Sequence, residues 1–243
     1  MLHLRLLGTF QVACDDTPLT TLASGRVQAL LARLVLHPGL PQPRAQLAYL
    51  FWPDSPEDRA RGHLRKLVYE LRRALPDAER FLDLRAQTVS WRAGAPYRLD
   101  VAEFEAAARR AGTPAEIAGA LRLYRGDLLP GHYDEWILGE RERLRQAVAR
   151  LLERGIAAGA AERDYPTALG YARRLRDHDP LHEAAHRALI RLHALAGDRV
   201  AAVRAYHDCA AVLQRELGIA PSRETRDLYE RVLASRPLPP APK

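Results

Sequence analysis

The segment HEAAH at residues 182–186 has the spacing of a zinc-hydrolase motif. On a helix, His182 and His186 would share one face and bind one Zn²⁺ ion, while Glu183 would act as the base that activates a metal-bound water. A third ligand is not evident in the sequence, because residues 189 and 192 are leucines. Other candidate ligands could be brought near only by the fold: His193, His207 and Glu216.

The same segment has the pattern of an ordinary amphipathic helix. Its apolar residues recur at helical spacing: Leu181, Ala185, Leu189 and Leu192. This stripe accounts for the segment as part of a packed helix without a metal. A zinc hydrolase is therefore the third of three functional hypotheses, and the sequence predicts no metal site and no catalytic residues.

A second segment, residues 56–75, combines an apolar stripe with clustered positive charge. The stripe recurs at spacings of four and three: Ala60, Leu64, Leu67, Leu71 and Leu75. This periodicity predicts an α-helix from Pro56 to Leu75. Pro56 suits the first helical position, and Ser55 is the predicted N-cap.

The opposite side of this helix carries mainly positive charge. Six basic residues and one acid, Glu70, occur within residues 59–73. Arg61 and Arg65 repel across one turn, which destabilises an isolated helix. Gly62 costs about 1 kcal/mol relative to Ala but leaves room for another backbone to approach. The pattern predicts a helix that lies in the DNA major groove, where it would bind phosphates and guanine edges; the alternative is a surface helix of an arginine-rich protein.

The composition bounds the class of protein. With 243 residues, the chain has room for one large domain or two small ones. Its net charge of +7 is compatible with a nucleic-acid partner. Cys14 and Cys209 are too far apart in sequence to predict a disulfide framework or a metal knuckle. We find no apolar window of about 18 residues and expect a soluble, cytoplasmic protein with no membrane partner.

The N-terminal part of the chain predicts strands, three helices and a hairpin. Residues 2–12 read as two short strands, and a third follows the turn at residues 15–16. Ser24 is expected to cap the first helix, which stops at residues 37–39, and the second helix spans Pro43 to Trp52. Residues 80–92 form a hairpin around Ala86-Gln87. This order predicts a winged helix-turn-helix whose third helix reads DNA.

From residue 99 onward the pattern is helix after helix. The predicted helices cover residues 101–111, 114–124, 134–161, 166–177, 180–196, 200–217 and 222–234. Two helix starts align at an offset of 34, which pairs Asp164 with Asp198 and Ala168 with Ala202. A 34-residue period is typical of tetratricopeptide (TPR) repeats; the alternative is an irregular helical bundle.

These patterns predict a fold that is mainly α with a small β component, a winged helix-turn-helix followed by a TPR-like all-helical domain. The predicted domains are residues 1–98, the winged helix, and residues 99–235, the helical domain. Residues 236–243 form a Pro-rich tail or linker.

The sequence also resembles a known family. LHLRLLGTFQV, SGRVQALLARLVLHPG and LRKLVYELRRAL resemble the OmpR/PhoB-type winged helix of Streptomyces antibiotic regulatory proteins (SARP). LDVAEFEAA and RELGIAPSRETRDLYERVL resemble the bacterial transcriptional activation domain (BTAD) that follows it there. The resemblance covers about residues 2–233. It implies an activator of transcription, with RNA polymerase as a partner.

The resemblance also implies which residues contact DNA. In the third helix these are Arg61, Gly62, His63, Arg65, Lys66, Tyr69, Arg72 and Arg73. Arg59, from the charge pattern, joins this set. The wing falls on residues 85–91, with Arg85 at its start, and Arg26 begins the first helix, where a basic residue is common. Compared with the family pattern the wing is longer, because it continues through residues 92–97.

Motifs for nucleotide chemistry are absent from the sequence. There is no GxxxxGK[ST], GxGxxG, GxSxG or CxxC, and we predict no cofactor and no enzymatic activity. Trp52, Trp91 and Trp136 are expected to be core or interface anchors rather than platforms for single-stranded nucleic acid.

The favoured hypothesis is thus a sequence-specific regulator that binds double-stranded DNA, with two chains pairing on tandem sites as a homodimer. The second hypothesis is an adaptor with a winged helix that does not bind DNA and a TPR groove that binds a peptide. Regulators that resemble this chain often continue into an ATPase, and the Pro-rich end would fit a truncation point.

Overall fold

The structure is a computed structural model that describes residues 1–235. The strands are β1 (Leu2–Arg5), β2 (Gln11–Cys14), β3 (Thr17–Pro18), β4 (Gln42–Pro43), β5 (Leu82–Leu84), β6 (Thr88–Trp91) and β7 (Tyr97–Leu99). The helices are α1 (Gly25–Val35), α2 (Arg44–Phe51), α3 (Glu57–Ala74), α4 (Ala78–Phe81), α5 (Asp100–Arg110), α6 (Pro114–Leu123), α7 (Glu135–Ala161), α8 (Tyr165–His178), α9 (Glu183–Leu195), α10 (Arg199–Leu217) and α11 (Arg223–Leu233). The prediction of a mainly α fold with a small β component is confirmed.

Two compact units make up the chain. The first comprises Met1–Arg109 and Arg122–Leu144, and the second comprises Arg110–Leu121 and the chain from Arg145 onward. The predicted division at residue 98 is drawn from sequence pattern and stays a prediction. Residues 236–243, predicted as a Pro-rich tail, lie outside the described residues.

An N-terminal sheet pairs the start of the winged helix with its end. Its order is β3-β2-β1-β7, and β7 runs parallel to β1 with Leu2 opposite Tyr97. The carboxylate of Asp100, directly after β7, accepts hydrogen bonds from the backbone N–H groups of Leu6 and Leu7 at 3.0 and 2.9 Å. The three predicted N-terminal strands are confirmed, whereas this long-range parallel pairing was not predicted.

A second sheet contacts α1 and α2 of the winged helix. Its order is β4-β6-β5, and the β5–β6 hairpin pairs Leu82 with Trp91. Trp91 is fully buried, with its ring 5.5 Å from that of Phe81 and 5.4 Å from that of Tyr97. The predicted hairpin is confirmed, and Trp91 is a core anchor as expected.

α3 begins one residue later than predicted, and α2 begins at Arg44, next to the start expected at about Pro43. α3 begins at Glu57, and its N-cap is Pro56 instead of Ser55, because the backbone of Pro56 is extended at ψ 141°. In the same way, Pro43 belongs to β4, where it pairs with Thr88 of the wing, so α2 begins at Arg44. A proline fixes only φ, and either a helical or an extended ψ remains open to it.

In the second unit, successive helices pack against one another: α8 on α9, α9 on α10, and α11 on both α9 and α10. Asp164 and Asp198, 34 residues apart, cap α8 and α10 by accepting hydrogen bonds from backbone N–H groups three residues later. The aligned Ala168 and Ala202 are both fully buried. The 34-residue period therefore marks equivalent helix starts with equivalent buried contacts. Among the described residues, no helix is long and apolar enough to cross a bilayer.

Close packing in the second unit predicts an asymmetry between two helical glycines. A Cβ atom on Gly155 of α7 would lie 2.7 Å from the buried ring of Tyr171, whereas one on Gly170 of α8 would meet nothing within 4 Å. We expect Gly155→Ala to destabilise the protein, because overpacking costs about 1–3 kcal/mol and outweighs the helix-propensity gain of about 1 kcal/mol. Gly170→Ala, the control, should stabilise. Thermal unfolding of both variants measures this, and a Gly155→Ala variant that melts at or above the wild-type temperature would contradict it.

Candidate nucleic-acid interface

The orientation of α3 follows from its buried stripe. The predicted apolar residues are all buried: Ala60, Leu64, Leu67, Leu71 and Leu75. Val68 and Ala74 are buried with them. α3 packs against α1 and α2, so the rest of its surface faces solvent.

The basic face predicted for α3 is exposed. Its exposed residues are Arg59, Arg61, His63, Arg65, Lys66, Tyr69, Arg72 and Arg73, and Gly62 is half-buried. The structure therefore brings nine of the eleven predicted DNA-binding residues onto one helix.

Part of the charge on this face is paired within the protein. Three basic residues meet carboxylates: Arg61 with Glu57 at 2.5 Å, Lys66 with Glu70 at 3.8 Å, and Arg72 with Glu79 at 2.8 Å. Sequence reasoning counted only Glu70, because the other two acids lie outside the 59–73 window. All three pairs are exposed, and such pairs contribute about 0–1 kcal/mol. A phosphate oxygen can therefore replace any of these carboxylates at little cost.

The remaining positive charge on α3 has no carboxylate partner. Among the described residues, Arg59 and Arg65 make no hydrogen bond or ion pair. Arg73 places its guanidinium carbon 5.8 Å from the centre of the Tyr69 ring. These three side chains leave an open positive charge over the length of the helix.

Gly62 lies in the middle of this face without a packing role. A Cβ atom built on it would meet only the guanidinium of Arg65, at 4.0 Å. Nothing in the first unit thus requires a glycine here, although it destabilises the helix relative to Ala.

An aromatic ring at the end of α2 supports the interface. Trp52 caps α2, and its ring lies 5.4 Å from that of His63 on α3. The guanidinium carbon of Arg26 lies 5.8 Å from the centre of the Trp52 ring, and Arg26 Nη1 donates a hydrogen bond to Asp134 at 2.6 Å. Arg26 therefore lies beside the helix-turn-helix as predicted, but its positive charge is paired with Asp134 within the first compact unit. Trp52 is the anchor that sequence reasoning expected.

The wing is fixed to the start of α2 by an arginine that sequence reasoning missed. The backbone N–H of Arg44 donates to Gln87 O at 2.9 Å, and its Nε donates to Arg85 O at 3.1 Å. Arg85 is exposed on the turn and donates to Asp83 at 2.9 Å. No local pattern could identify Arg44, because its partners are about 40 residues away. The wing was predicted to continue through residues 92–97, but residues 92–96 connect β6 to β7 and Tyr97 begins β7, so the wing is the short β5–β6 hairpin.

The HEAAH segment does not have the geometry of a metal site. His182 is the N-cap of α9 and not one of its helical residues, and its Nε2 lies 3.9 Å from a carboxylate oxygen of Glu153. His186 Nε2 lies 2.9 Å from Pro180 O, and Glu183 accepts a hydrogen bond from Ser222 N at 2.8 Å. Within residues 1–235, no three His, Cys, Asp or Glu side chains are grouped so that they could hold a metal ion.

Comparison with known proteins gives a consistent set of relatives. Residues 97–233 match the family described as "Bacterial transcriptional activator domain". The chain is 28% identical to the transcriptional regulatory protein EmbR of Mycobacterium tuberculosis, covering 98% of this chain and 64% of EmbR. It is 26% identical to the regulatory protein AfsR of Streptomyces coelicolor, covering 97% of this chain and 24% of AfsR.

A solved structure has the same fold. M. tuberculosis EmbR in complex with a low affinity phosphopeptide superposes with a TM-score of 0.75 at 24% identity, covering 98% of this chain and 66% of that chain. The chain thus spans about two thirds of EmbR and a quarter of AfsR.

Proposed function

The chain belongs to the bacterial transcriptional activator domain family, as its sequence predicted, and we propose that it is a transcriptional regulator that binds double-stranded DNA in a sequence-specific way. The observation that carries this proposal is the exposed basic face of α3 above a fully buried stripe. The names of EmbR and AfsR, which are regulatory proteins, support it.

In this proposal α3 enters the major groove. The helix has 18 residues and is about 27 Å long at a rise of about 1.5 Å per residue, and the groove is wide enough to admit it. Arg59, Arg61, Arg65, Arg72 and Arg73 bind phosphates or guanine edges, since guanidinium groups suit both. Gly62, His63, Lys66 and Tyr69 form the side nearer the bases.

Arg85 and Arg26 extend the contact beyond α3. Arg85 lies exposed on the wing turn, where it can reach the backbone beside the groove. Arg26 requires its ion pair with Asp134 to open before it can bind a phosphate, because its Nη1 now donates to that carboxylate.

The regulator is proposed to act in the cytoplasm as an activator that contacts RNA polymerase through its helical domain. The description of the matched family as an activator domain supports this role. No catalytic step is involved, and binding free energy alone places the second domain beside a promoter.

The basic face makes a direct prediction for single variants. We expect Arg65→Ala and Lys66→Ala to weaken duplex binding while thermal unfolding stays unchanged, because both side chains are exposed. A lost phosphate contact lowers the salt slope by about one unit, and a lost base contact costs about 1–3 kcal/mol. Fluorescence anisotropy on labelled duplexes at several salt concentrations measures both.

Two control variants distinguish a loss of DNA contact from a general effect of charge or stability. Arg150→Ala removes an equal charge from the exposed side of α7 and should leave binding unchanged. Leu67→Ala should instead cost stability, about 2–5 kcal/mol for a buried leucine. If Arg65→Ala and Lys66→Ala bind like the wild type, α3 does not read DNA, and the adaptor hypothesis becomes the better account.

We expect the Gly62→Ala substitution to change stability and duplex binding in opposite directions. Gly62→Ala should raise the melting temperature, because it gains about 1 kcal/mol of helix propensity in open space. It should nevertheless weaken duplex binding, since the added methyl group stands where DNA approaches. Gly170→Ala in α8 is the matched control and should stabilise without changing binding. Equal affinities for the Gly62→Ala variant and the wild type would show that DNA does not come close to this position.

A single winged helix contacts about one half-site, so we propose that two chains pair on tandem sites separated by one or two helical turns. The full chain should bind a two-site duplex cooperatively, and moving one site by half a turn, about 5 base pairs, should abolish the cooperativity. Shortening the chain to residue 99 would be a poor control, because residues 122–144 belong to the first compact unit. Gel-shift titration measures this, and independent binding at both spacings would contradict the pairing.

A further inference from the structure

The second compact unit contains a polar cleft between three helices. Arg173 and Arg176 from α8, His186 and His193 from α9, and Arg204 from α10 line its walls. Its volume is about 330 Å³, at the small end of the range of small-molecule sites. Leu189, Ala201 and Ala205 add apolar surface. The cleft is in a different unit from α3 and has no part in the proposed DNA interface.

The balance of charge in the cleft favours an anion. Among the described residues, Arg173 and Arg204 have no hydrogen bond or ion pair, whereas Arg176 donates to Asp177. The carboxylate of Asp198 caps α10 by accepting a hydrogen bond from Ala201 N at 2.9 Å. The one other acid in the lining is Asp208. Two guanidinium groups are therefore available, and their planar donor geometry matches a carboxylate or a phosphate.

A buried histidine forms part of the cleft wall. The ring of His186 is only 3% exposed, and its Nε2 lies 2.9 Å from Pro180 O, an acceptor. Its Nδ1 has less than 1 Å² of accessible surface, so this atom offers no hydrogen bond to a ligand in the cleft. His186 therefore shapes the cleft, and the arginines supply the groups that recognise a ligand.

The pKa of His193 is expected to change when an anion binds in the cleft. The pKa of His193 is lowered by burial and by the nearby positive charge of Arg173, while Asp198 opposes the shift. An anion bound beside Arg173 would add negative charge next to the ring. It would favour the imidazolium and raise the pKa of His193.

We propose that this cleft binds a small organic anion, whose phosphate or carboxylate group is bound by Arg173 and Arg204. Its volume of about 330 Å³ fits a small molecule better than an extended acidic peptide. His186, which the HEAAH pattern offered as a candidate zinc ligand, lies in the wall of this cleft.

The test uses the full chain and two probes without DNA, so that its outcome does not depend on the proposed DNA binding. Glucose 6-phosphate represents phosphates, and citrate represents carboxylates. Calorimetry should detect binding of one probe or both, and NMR should show an upward shift of the His193 pKa on saturation.

Variants assign the binding to the cleft. Arg173→Gln and Arg204→Gln should each weaken binding by about tenfold or more, as expected for a lost charged hydrogen bond. Arg174→Gln is the matched control, since Arg174 is exposed on the same helix but does not line the cleft. Melting temperatures confirm that all three variants fold. The proposal is overturned if neither probe binds at millimolar concentration, if Arg174→Gln weakens binding as much as Arg173→Gln, or if an oligoglutamate peptide binds where both small molecules fail.

Discussion

The burial of one apolar stripe on α3 is the constraint on which the winged helix depends. Leu64, Leu67 and Leu71 are at most 4% exposed, and together they fix the rotation of the helix about its axis. Removing even one of them from the core would cost several kcal/mol, roughly 2–5 for a leucine. By contrast, each ion pair on the outer face contributes about 0–1 kcal/mol. The core therefore decides which side chains face solvent, and the charged face is left free to exchange its partners.

Long-range contacts then hold the other elements around this helix. Trp52 at the end of α2 packs against His63, and Arg44 joins the first turn of α2 to the tip of the wing. Asp134, which precedes α7, pairs with Arg26 at the start of α1. Each of these contacts places a side chain of the candidate interface through a partner between about 10 and 110 residues away. In the proposed complex with DNA, contacts of this kind reduce the conformational entropy that these side chains lose on binding.

Sequence reasoning succeeded where the signal is local. The spacing of Leu64, Leu67 and Leu71 identified both the helix and its buried side, and the repeated Asp164 and Asp198 marked two capped helix starts. It failed where the partner is distant: the pairing of β7 with β1, the contacts of Arg44, and the ion pair of Arg26. The apolar spacing of Ala185, Leu189 and Leu192 likewise identified α9 as a packed helix, and all three residues are buried. The DNA contacts of individual residues remain predictions, since the chain alone does not fix them.

The central claim, that the open charge of α3 binds a DNA backbone, is tested most directly by the salt dependence of binding. The full chain would be titrated with duplex from its own upstream region over a series of salt concentrations. We expect log K to fall linearly with log salt, with a slope of about −0.9 for each phosphate contacted and several contacts in all. Absence of binding, or an affinity that does not change with salt, would contradict it.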